Sequence, residues 1–177
     1  MTRTQTDDVG PPANQSFNNP VHIMADWMQF QLLMRFTDAP APDPNPSASA
    51  IRGRTVFSTV GCALCHTPKM QTAPTLLSAV LQNRPVNLFS DLLVHDMGDG
   101  LADGISQGAA GPREFRTVPL WGVGQRIFFL HDGRTNDLVH AIVDHASNGS
   151  EANAVVQQFN ALSVADKQAI IDFLRSL

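Results

Sequence analysis

The two cysteines of the chain, Cys62 and Cys65, stand three residues apart and are followed at once by His66. This segment, CALCH, has the C-x-x-C-H pattern of c-type haem attachment. Two thiols at this spacing on a helical turn face the same side, so each can bond one vinyl group of a single porphyrin. The adjacent imidazole then reaches the iron from that side as its proximal ligand. The pattern therefore predicts one covalently bound haem c.

Two other uses of the cysteine pair fit the sequence less well. A dithiol redox site would follow a strand and open a helix, and no strand pattern precedes Cys62. A zinc site needs about four ligands, and Cys62, Cys65, His140 and His145 are the available set. However, the histidines lie far from the cysteines in the sequence, and positions five apart on a helix point in different directions. The sequence therefore favours haem over zinc or dithiol chemistry.

The second axial ligand of the iron could come from several residues. The chain has no tyrosine, so the candidates are methionines and histidines. They are Met70, Met97, His95, His131, His140 and His145. Met70 lies too close to His66 in the chain to cross a porphyrin ring. Met97 lies in a glycine-rich loop that could arch over the haem, whereas His145 lies on the apolar face of a predicted helix. The residues alone leave both of these open.

Helices are the elements predicted to position these residues. Ser47 or Ser49 can cap a helix that ends near Gly61, directly before Cys62. Apolar residues at helical spacing predict further helices at 21–36, 136–146 and 163–177.

The region between these helices has a different composition. Residues 67–135 are rich in glycine, proline, asparagine and aspartate, which is typical of loops that wrap a bound group. The fold class we expect is all-α: a class-I-like cytochrome c domain with long Gly/Pro-rich loops around one covalent haem. Four prolines alternate with other residues over 40–46, which predicts an extended linker. We therefore divide the chain into a tail, helix and linker over 1–47 and a cytochrome c domain over 48–177.

Composition and charge exclude several partners. The chain has 12 Lys and Arg against 16 Asp and Glu, a net charge of -4, so we expect no nucleic-acid partner. Its longest apolar run, residues 127–130, is far shorter than the roughly 20 residues that span a bilayer, so we expect no membrane span. The first 20 residues lack the apolar core of a signal peptide. We therefore expect that an export signal has been removed or belongs to a longer precursor.

Four segments of the sequence resemble a known family: GRTVFSTVGCALCHTP, FSDLLVHDMGDGLADG, EFRTVPLWGVGQRIFFLHDGRTNDLVHAIVDH and LSVADKQAIIDFLRSL. In this order they are similar to the C-terminal haem domain of the bacterial di-haem cytochrome c peroxidase superfamily. The nearest branch is that of the di-haem oxidoreductases once named thiol oxidoreductases. The resemblance extends over about residues 48–177, far beyond a single C-x-x-C-H.

This resemblance implies a ligand set. The peroxidases place a methionine ligand on the helix that follows an F-H-x-G segment, and the equivalent position here is His145. The departure implies bis-histidine ligation by His66 and His145, with Met97 as the alternative ligand. The residues that the resemblance places along the haem edge or its propionates are Arg116, Trp121 and His131.

The resemblance also limits the function. Full-length members of the family carry two haems, whereas this chain has one C-x-x-C-H, so a peroxidase activity cannot be carried over whole. Bis-histidine ligation leaves no open position for a substrate, so we expect one-electron transfer and no catalytic residue in this chain alone. The alternative is the C-terminal electron-relay half of a di-haem peroxidase-like oxidoreductase whose peroxidatic haem domain is absent from this chain.

Partner and location follow from the same motif. We expect a redox partner protein or a second haem domain to exchange electrons with this one. Thioether attachment requires reduced thiols and an exported apoprotein, so we expect the mature protein in the periplasm or outside the cell.

Overall fold

The computed structural model describes residues 43–74 and 82–177, all within one unit of the chain. Its helices are α1 (Ala48–Val60), α2 (Leu138–Val143), α3 (Asn153–Ala161) and α4 (Val164–Arg175), with short 3₁₀ helices at Cys62–Leu64 and Val123–Gln125. Its strands are β1 (Met70–Gln71), β2 (Pro85–Val86), β3 (Val94–Asp96) and β4 (Glu114–Arg116). Within these ranges no helix is both long and apolar enough to cross a membrane.

The N-terminal predictions fall outside the described residues. The helix expected at 21–36 and residues 40–42 of the linker lie there, so nothing in the structure tests that helix. The boundary between 1–47 and 48–177 stays a prediction.

Helix α1 ends directly before the C-x-x-C-H segment. Ser47 caps its first turn, because the Ser47 hydroxyl accepts a hydrogen bond from the Ala50 N–H at 3.0 Å. Gly61 ends the helix with φ of 105°, a left-handed conformation that favours glycine, and its N–H bonds to carbonyls of the last turn. The chain then enters the 3₁₀ turn at Cys62 directly. The predicted start and end of this helix are confirmed.

Helices α1 and α4 meet at backbone contact. Gly53 is buried in α1, and a methyl group at this position would overlap the backbone carbonyl of Ala169 in α4. Ala169 and Ile170 are both essentially inaccessible to solvent. Helix α4 begins at Ser163, whose hydroxyl accepts from the Asp166 N–H at 3.1 Å. This close crossing forms one side of the core.

Three phenylalanine rings fill the core beside that crossing. The ring of Phe57 in α1 lies 5.4 Å from that of Phe173 in α4, and Phe89 lies 5.5 Å from Phe173 and 6.5 Å from Phe57, all edge to face. Such pairs add to the free energy gained by burying the rings. All three rings are at most 4% exposed, so the segment around Phe89 is held firmly against the helices.

The prediction of an all-α, class-I-like cytochrome c domain is wrong. Two antiparallel two-stranded sheets interrupt the loop region: β1 pairs with β2, and β3 pairs with β4. In the second sheet Val94 lies opposite Arg116 and His95 opposite Phe115. Strands of two or three residues are too short to show the alternation that identifies a strand in sequence, which needs about four residues. These strands could therefore not be predicted from the glycine-rich sequence.

The C-terminal helices also differ from expectation. Helix α2 is shorter than the predicted 136–146, and it begins where the Asp137 carboxylate accepts the N–H groups of Val139 and His140 at 2.7 and 3.0 Å. His145 lies two residues beyond its last residue, in a turn closed by the His145 N–H on the Ile142 carbonyl at 3.3 Å. Helix α3 lies where the sequence predicted no helix.

Candidate functional site

The two thiols lie on one 3₁₀ turn with His66 directly after them. Both Cys62 and Cys65 are free and partly buried, and the His66 N–H closes the turn on the Cys62 carbonyl at 2.9 Å. Burial raises the pKa of Cys62 to about 11. The pKa of Cys65 is raised too, first by burial and then by the negative charge of Asp91. Both groups are therefore neutral thiols near pH 7, unlike the low-pKa thiolate of a redox dithiol.

The His66 ring is fixed by the core beneath it. Its Nδ1 lies 3.0 Å from the Phe89 carbonyl, and its ring centroid lies 6.2 Å from that of Phe57. A carbonyl can only accept, so Nδ1 carries the proton and Nε2 keeps its lone pair. Burial lowers the pKa of His66 to about 4, against the bond to Phe89, and repulsion from His145 lowers it further. His66 is therefore a neutral imidazole.

The carbonyl that holds His66 belongs to a residue in an unfavourable conformation. Phe89 has φ of 50°, the left-handed region that a bulky side chain rarely adopts. Its ring is locked among the core phenylalanines, and this conformation lets its carbonyl face His66 as well. Backbone strain of this kind costs about 1–3 kcal/mol and persists only where the surroundings impose it.

His145 is held in the same manner. Its Nδ1 lies 2.6 Å from the Ala141 carbonyl, so this nitrogen also donates and Nε2 keeps its lone pair. The Ser150 hydroxyl donates to the His145 carbonyl at 2.6 Å and fixes the turn. Burial lowers the pKa of His145, which keeps this imidazole neutral as well.

The donor set matches that of a haem iron held between two imidazoles. Histidines that ligate metals almost always donate the other ring N–H to a carbonyl, carboxylate or water. Both His66 and His145 do so, and within the described residues neither Nε2 has a hydrogen-bond partner. Together with two free thiols on one turn, these residues fit a covalently attached haem.

The other residues expected at the haem edge are not gathered in one place. Arg116 is exposed on β4, and within the described part of the chain it forms no ion pair. His131 is also exposed and stacks on Phe115 at 4.5 Å. Because neighbouring residues of a strand point to opposite faces, Arg116 and His131 lie on opposite sides of the β3–β4 sheet. The Trp121 indole donates to the Asn87 carbonyl at 2.7 Å.

Met97 lies beside the turn that follows His145. Its backbone N–H bonds to the Arg113 carbonyl at 2.8 Å, and its carbonyl accepts from the Ser147 hydroxyl at 3.1 Å. Met97 is partly buried there.

Apolar side chains beside the β3–β4 sheet are exposed to solvent. Val94 is 50% exposed, and Arg116 lies opposite to it. The Thr117 N–H bonds to the Leu93 carbonyl at 2.9 Å. Leu92, whose φ of 61° ends the strand, is 43% exposed, and Val118 is 48% exposed.

A cluster that sequence reasoning did not find lies next to Cys65. The Nε2 of His95 is 2.9 Å from Asp91 and its Nδ1 is 2.8 Å from Glu151, whereas the Cys65 sulfur is 3.8 Å from Nδ1. These contacts raise the pKa of His95, with Glu151 the largest cause. Among the described residues, Cys65, Asp91 and His95 form the one set of three donors close enough to share an ion. No sequence pattern joins Glu151 to the other three.

The zinc alternative does not match this arrangement. His140 is exposed on α2, whereas His145 is partly buried beyond its end. The described residues do not bring these two histidines and both cysteines together as one set of donors.

Comparisons with known proteins identify one family that matches most of the chain. A family model described as "Di-haem oxidoreductase, putative peroxidase" matches residues 7–177. A search of curated proteins finds no match. Among solved structures, the chain is similar to hydrazine synthase of Kuenenia stuttgartiensis, pressurized with 20 bar xenon, at 20% identity and a TM-score of 0.48. The similarity covers 81% of this chain and 52% of that one, so the chain spans about half the length of that protein.

Ser90 offers a test of how the site is supported. Its side chain is inaccessible to solvent, and its hydroxyl donates to the Thr117 carbonyl at 2.7 Å and accepts the Leu92 N–H at 2.9 Å. Ser90→Ala leaves both backbone groups without this partner, so we expect the free energy of unfolding to fall by about 1–3 kcal/mol in urea titrations. Ser58→Ala, at an exposed position of α1, is the control and should stay within about 0.5 kcal/mol. Equal effects in both variants would contradict the role assigned to Ser90.

Proposed function

The chain belongs to the di-haem oxidoreductase family, whose members carry out haem-based redox chemistry, and we propose that it transfers single electrons through one covalently bound haem c. Cys62 and Cys65 provide the thioether bonds, and His66 and His145 are the axial ligands. When bound, the haem supplies an iron that gains and loses one electron. The observation that carries this proposal is the pair of neutral imidazoles, each with Nδ1 bonded to a backbone carbonyl, beside two free thiols.

The thiols support covalent attachment because both are free as well as suitably spaced. A thioether forms when S–H adds across a vinyl double bond: sulfur bonds to one carbon and the hydrogen goes to the other, with no net oxidation. Cys62 and Cys65 are not joined in a disulfide, so both can take part in this addition.

The histidines support an electron-transfer role rather than chemistry on a substrate. If His66 and His145 both held the iron, no position on it would be left for peroxide. His66 and His145 are each fixed by a short hydrogen bond to the backbone, so their rings have little freedom to leave. A ligand set that changes little between oxidised and reduced iron suits rapid electron exchange.

The thioether bonds give the first test of this function. In protein matured with haem, we expect the intact mass to exceed the chain mass by one haem, and acid–acetone should extract none of it. Cys62→Ala and Cys65→Ala should each leave one thioether or a haem-poor product. Complete extraction of haem from the unaltered protein, or a preparation that contains only zinc, would refute covalent attachment.

The distal ligand gives the second test. His145→Ala should open the sixth coordination position and turn the ferric haem from low-spin to high-spin in the absorption spectrum. Met97→Ala should leave that spectrum unchanged. The unaltered protein should also have a reduction potential below that of a His/Met cytochrome, because methionine ligation raises the potential. A high-spin spectrum in Met97→Ala alone would assign the ligand to Met97 instead.

In a second candidate function, a partner haem domain carries out the reaction with peroxide. The family is di-haem, whereas the two cysteines of this chain complete one attachment motif. The chain would then be the electron-relay half of a peroxidase-like oxidoreductase, and a partner haem domain would hold the peroxide. Peroxide turnover that appears only when such a domain is added would favour this candidate over a self-contained electron carrier.

We propose that the mature protein is located in the periplasm or outside the cell, because C-x-x-C-H haem attachment takes place on exported chains. Cell fractionation of the native host tests this location. Holo-protein found only in the cytosolic fraction would refute it.

A further inference from the structure

We propose that His95 is a positioning residue that ties the loop of Cys65 and His66 to the turn of His145, and so holds the two axial ligands at a fixed separation. This inference rests on the bis-histidine function proposed above. It assigns a role to the cluster of Asp91, His95 and Glu151, which neither covalent attachment nor ligation uses.

His95 is held at both of its nitrogens by oriented carboxylates. Its Nε2 lies 2.9 Å from Asp91, and its Nδ1 lies 2.8 Å from Glu151. Each carboxylate also accepts a backbone N–H: Asp91 from Leu93 at 2.9 Å and Glu151 from Asp96 at 3.1 Å. The His95 side chain is 17% exposed, so these charge-assisted bonds are partly shielded from water. Such bonds are about twice as strong as neutral ones.

The Asp91 end of the cluster belongs to the attachment loop. The Asp91 N–H bonds to the Cys65 carbonyl at 2.9 Å, and the neighbouring Ser90 N–H bonds to the Thr67 carbonyl at 3.0 Å. The Cys65 sulfur itself lies 3.8 Å from the His95 ring. Movement of Asp91 would therefore move the residues on both sides of His66.

The Glu151 end belongs to the turn of His145. Ser150, the residue before Glu151, donates its hydroxyl to the His145 carbonyl at 2.6 Å. The Glu151 N–H bonds to the Asp96 carbonyl at 2.9 Å, and the Ser147 hydroxyl bonds to the Met97 carbonyl at 3.1 Å. His95, directly before Asp96, therefore joins a segment that is already bonded to the distal turn.

Gly98 shows how closely that segment and the distal turn approach. A methyl group on Gly98 would contact the Ser147 hydroxyl, would lie 2.6 Å from the Asn148 carbonyl oxygen and 2.7 Å from the Ser150 nitrogen, and φ at Gly98 is 71°. The two segments are thus packed against each other at backbone contact. His95 and its carboxylates connect them to the attachment loop.

The experiment measures how often His145 leaves the iron in haem-loaded protein. Carbon monoxide binds reduced bis-histidine haem only after one histidine dissociates, so its rate at saturating gas reports that dissociation. We expect His95→Ala to raise this rate roughly tenfold, as expected from the loss of hydrogen bonds to charged groups. His95→Gln, which can donate to only one carboxylate, should give an intermediate rate. His140→Ala removes an exposed histidine and is the matched control, with an unchanged rate.

A second variant covers the case in which His95→Ala does not fold. Glu151→Gln lies at a side chain that is 56% exposed, keeps an acceptor for the Asp96 N–H and removes the charge that faces His95. It should raise the carbon monoxide rate in the same direction. Rates within twofold of the unaltered protein in Glu151→Gln and in every folded His95 variant would overturn the role of His95.

Measurements on the unaltered protein distinguish a failure of this inference from a failure of the proposed bis-histidine function. If it binds carbon monoxide with no rate-limiting step, or is high-spin before any substitution, then bis-histidine ligation is wrong and this inference fails with it. If it is low-spin and binds slowly while the variants do not differ from it, ligation stands and only the role of His95 fails.

Discussion

The site depends on one residue, Phe89, that serves the core and the functional histidine at once. Its ring completes the edge-to-face cluster with Phe57 and Phe173, and its carbonyl accepts a hydrogen bond from His66 Nδ1. The backbone adopts a left-handed conformation that meets both demands. The free energy gained by burying three phenyl rings therefore offsets the strain of that conformation and fixes a neutral imidazole at the surface of the core.

The distal side is built differently, from short loops bonded to one another rather than from a packed core. His145 lies beyond the end of α2, and its carbonyl, its ring and the following turn are each held by a separate hydrogen bond. The β3–β4 sheet supports this turn because Glu151 pairs with Asp96 through both backbone and side chain. In the proposed site, the packed core would thus provide one axial ligand, His66, and the hydrogen-bonded turn would provide the other, His145.

Sequence reasoning predicted the two long helices because these depend on local patterns. The cap at Ser47 and the left-handed Gly61 are fixed by residue type. The strands were missed because two or three residues show no alternation, and the His95 cluster was missed because Glu151 is remote in sequence from Asp91. His145 was selected because it would lie on the apolar face of a predicted helix, yet it lies beyond the end of α2. The turn that its N–H closes on the Ile142 carbonyl still leaves it partly buried.

The contact of Gly53 with Ala169 has a consequence for the order in which the protein folds. These residues lie well over a hundred positions apart in the chain, so the crossing of α1 and α4 closes a very long loop, and contacts of this separation form slowly. The Phe89 ring cannot pack against Phe173 until α4 has formed. The CALCH segment therefore lacks the support that Phe89 gives to His66 until α4 has formed.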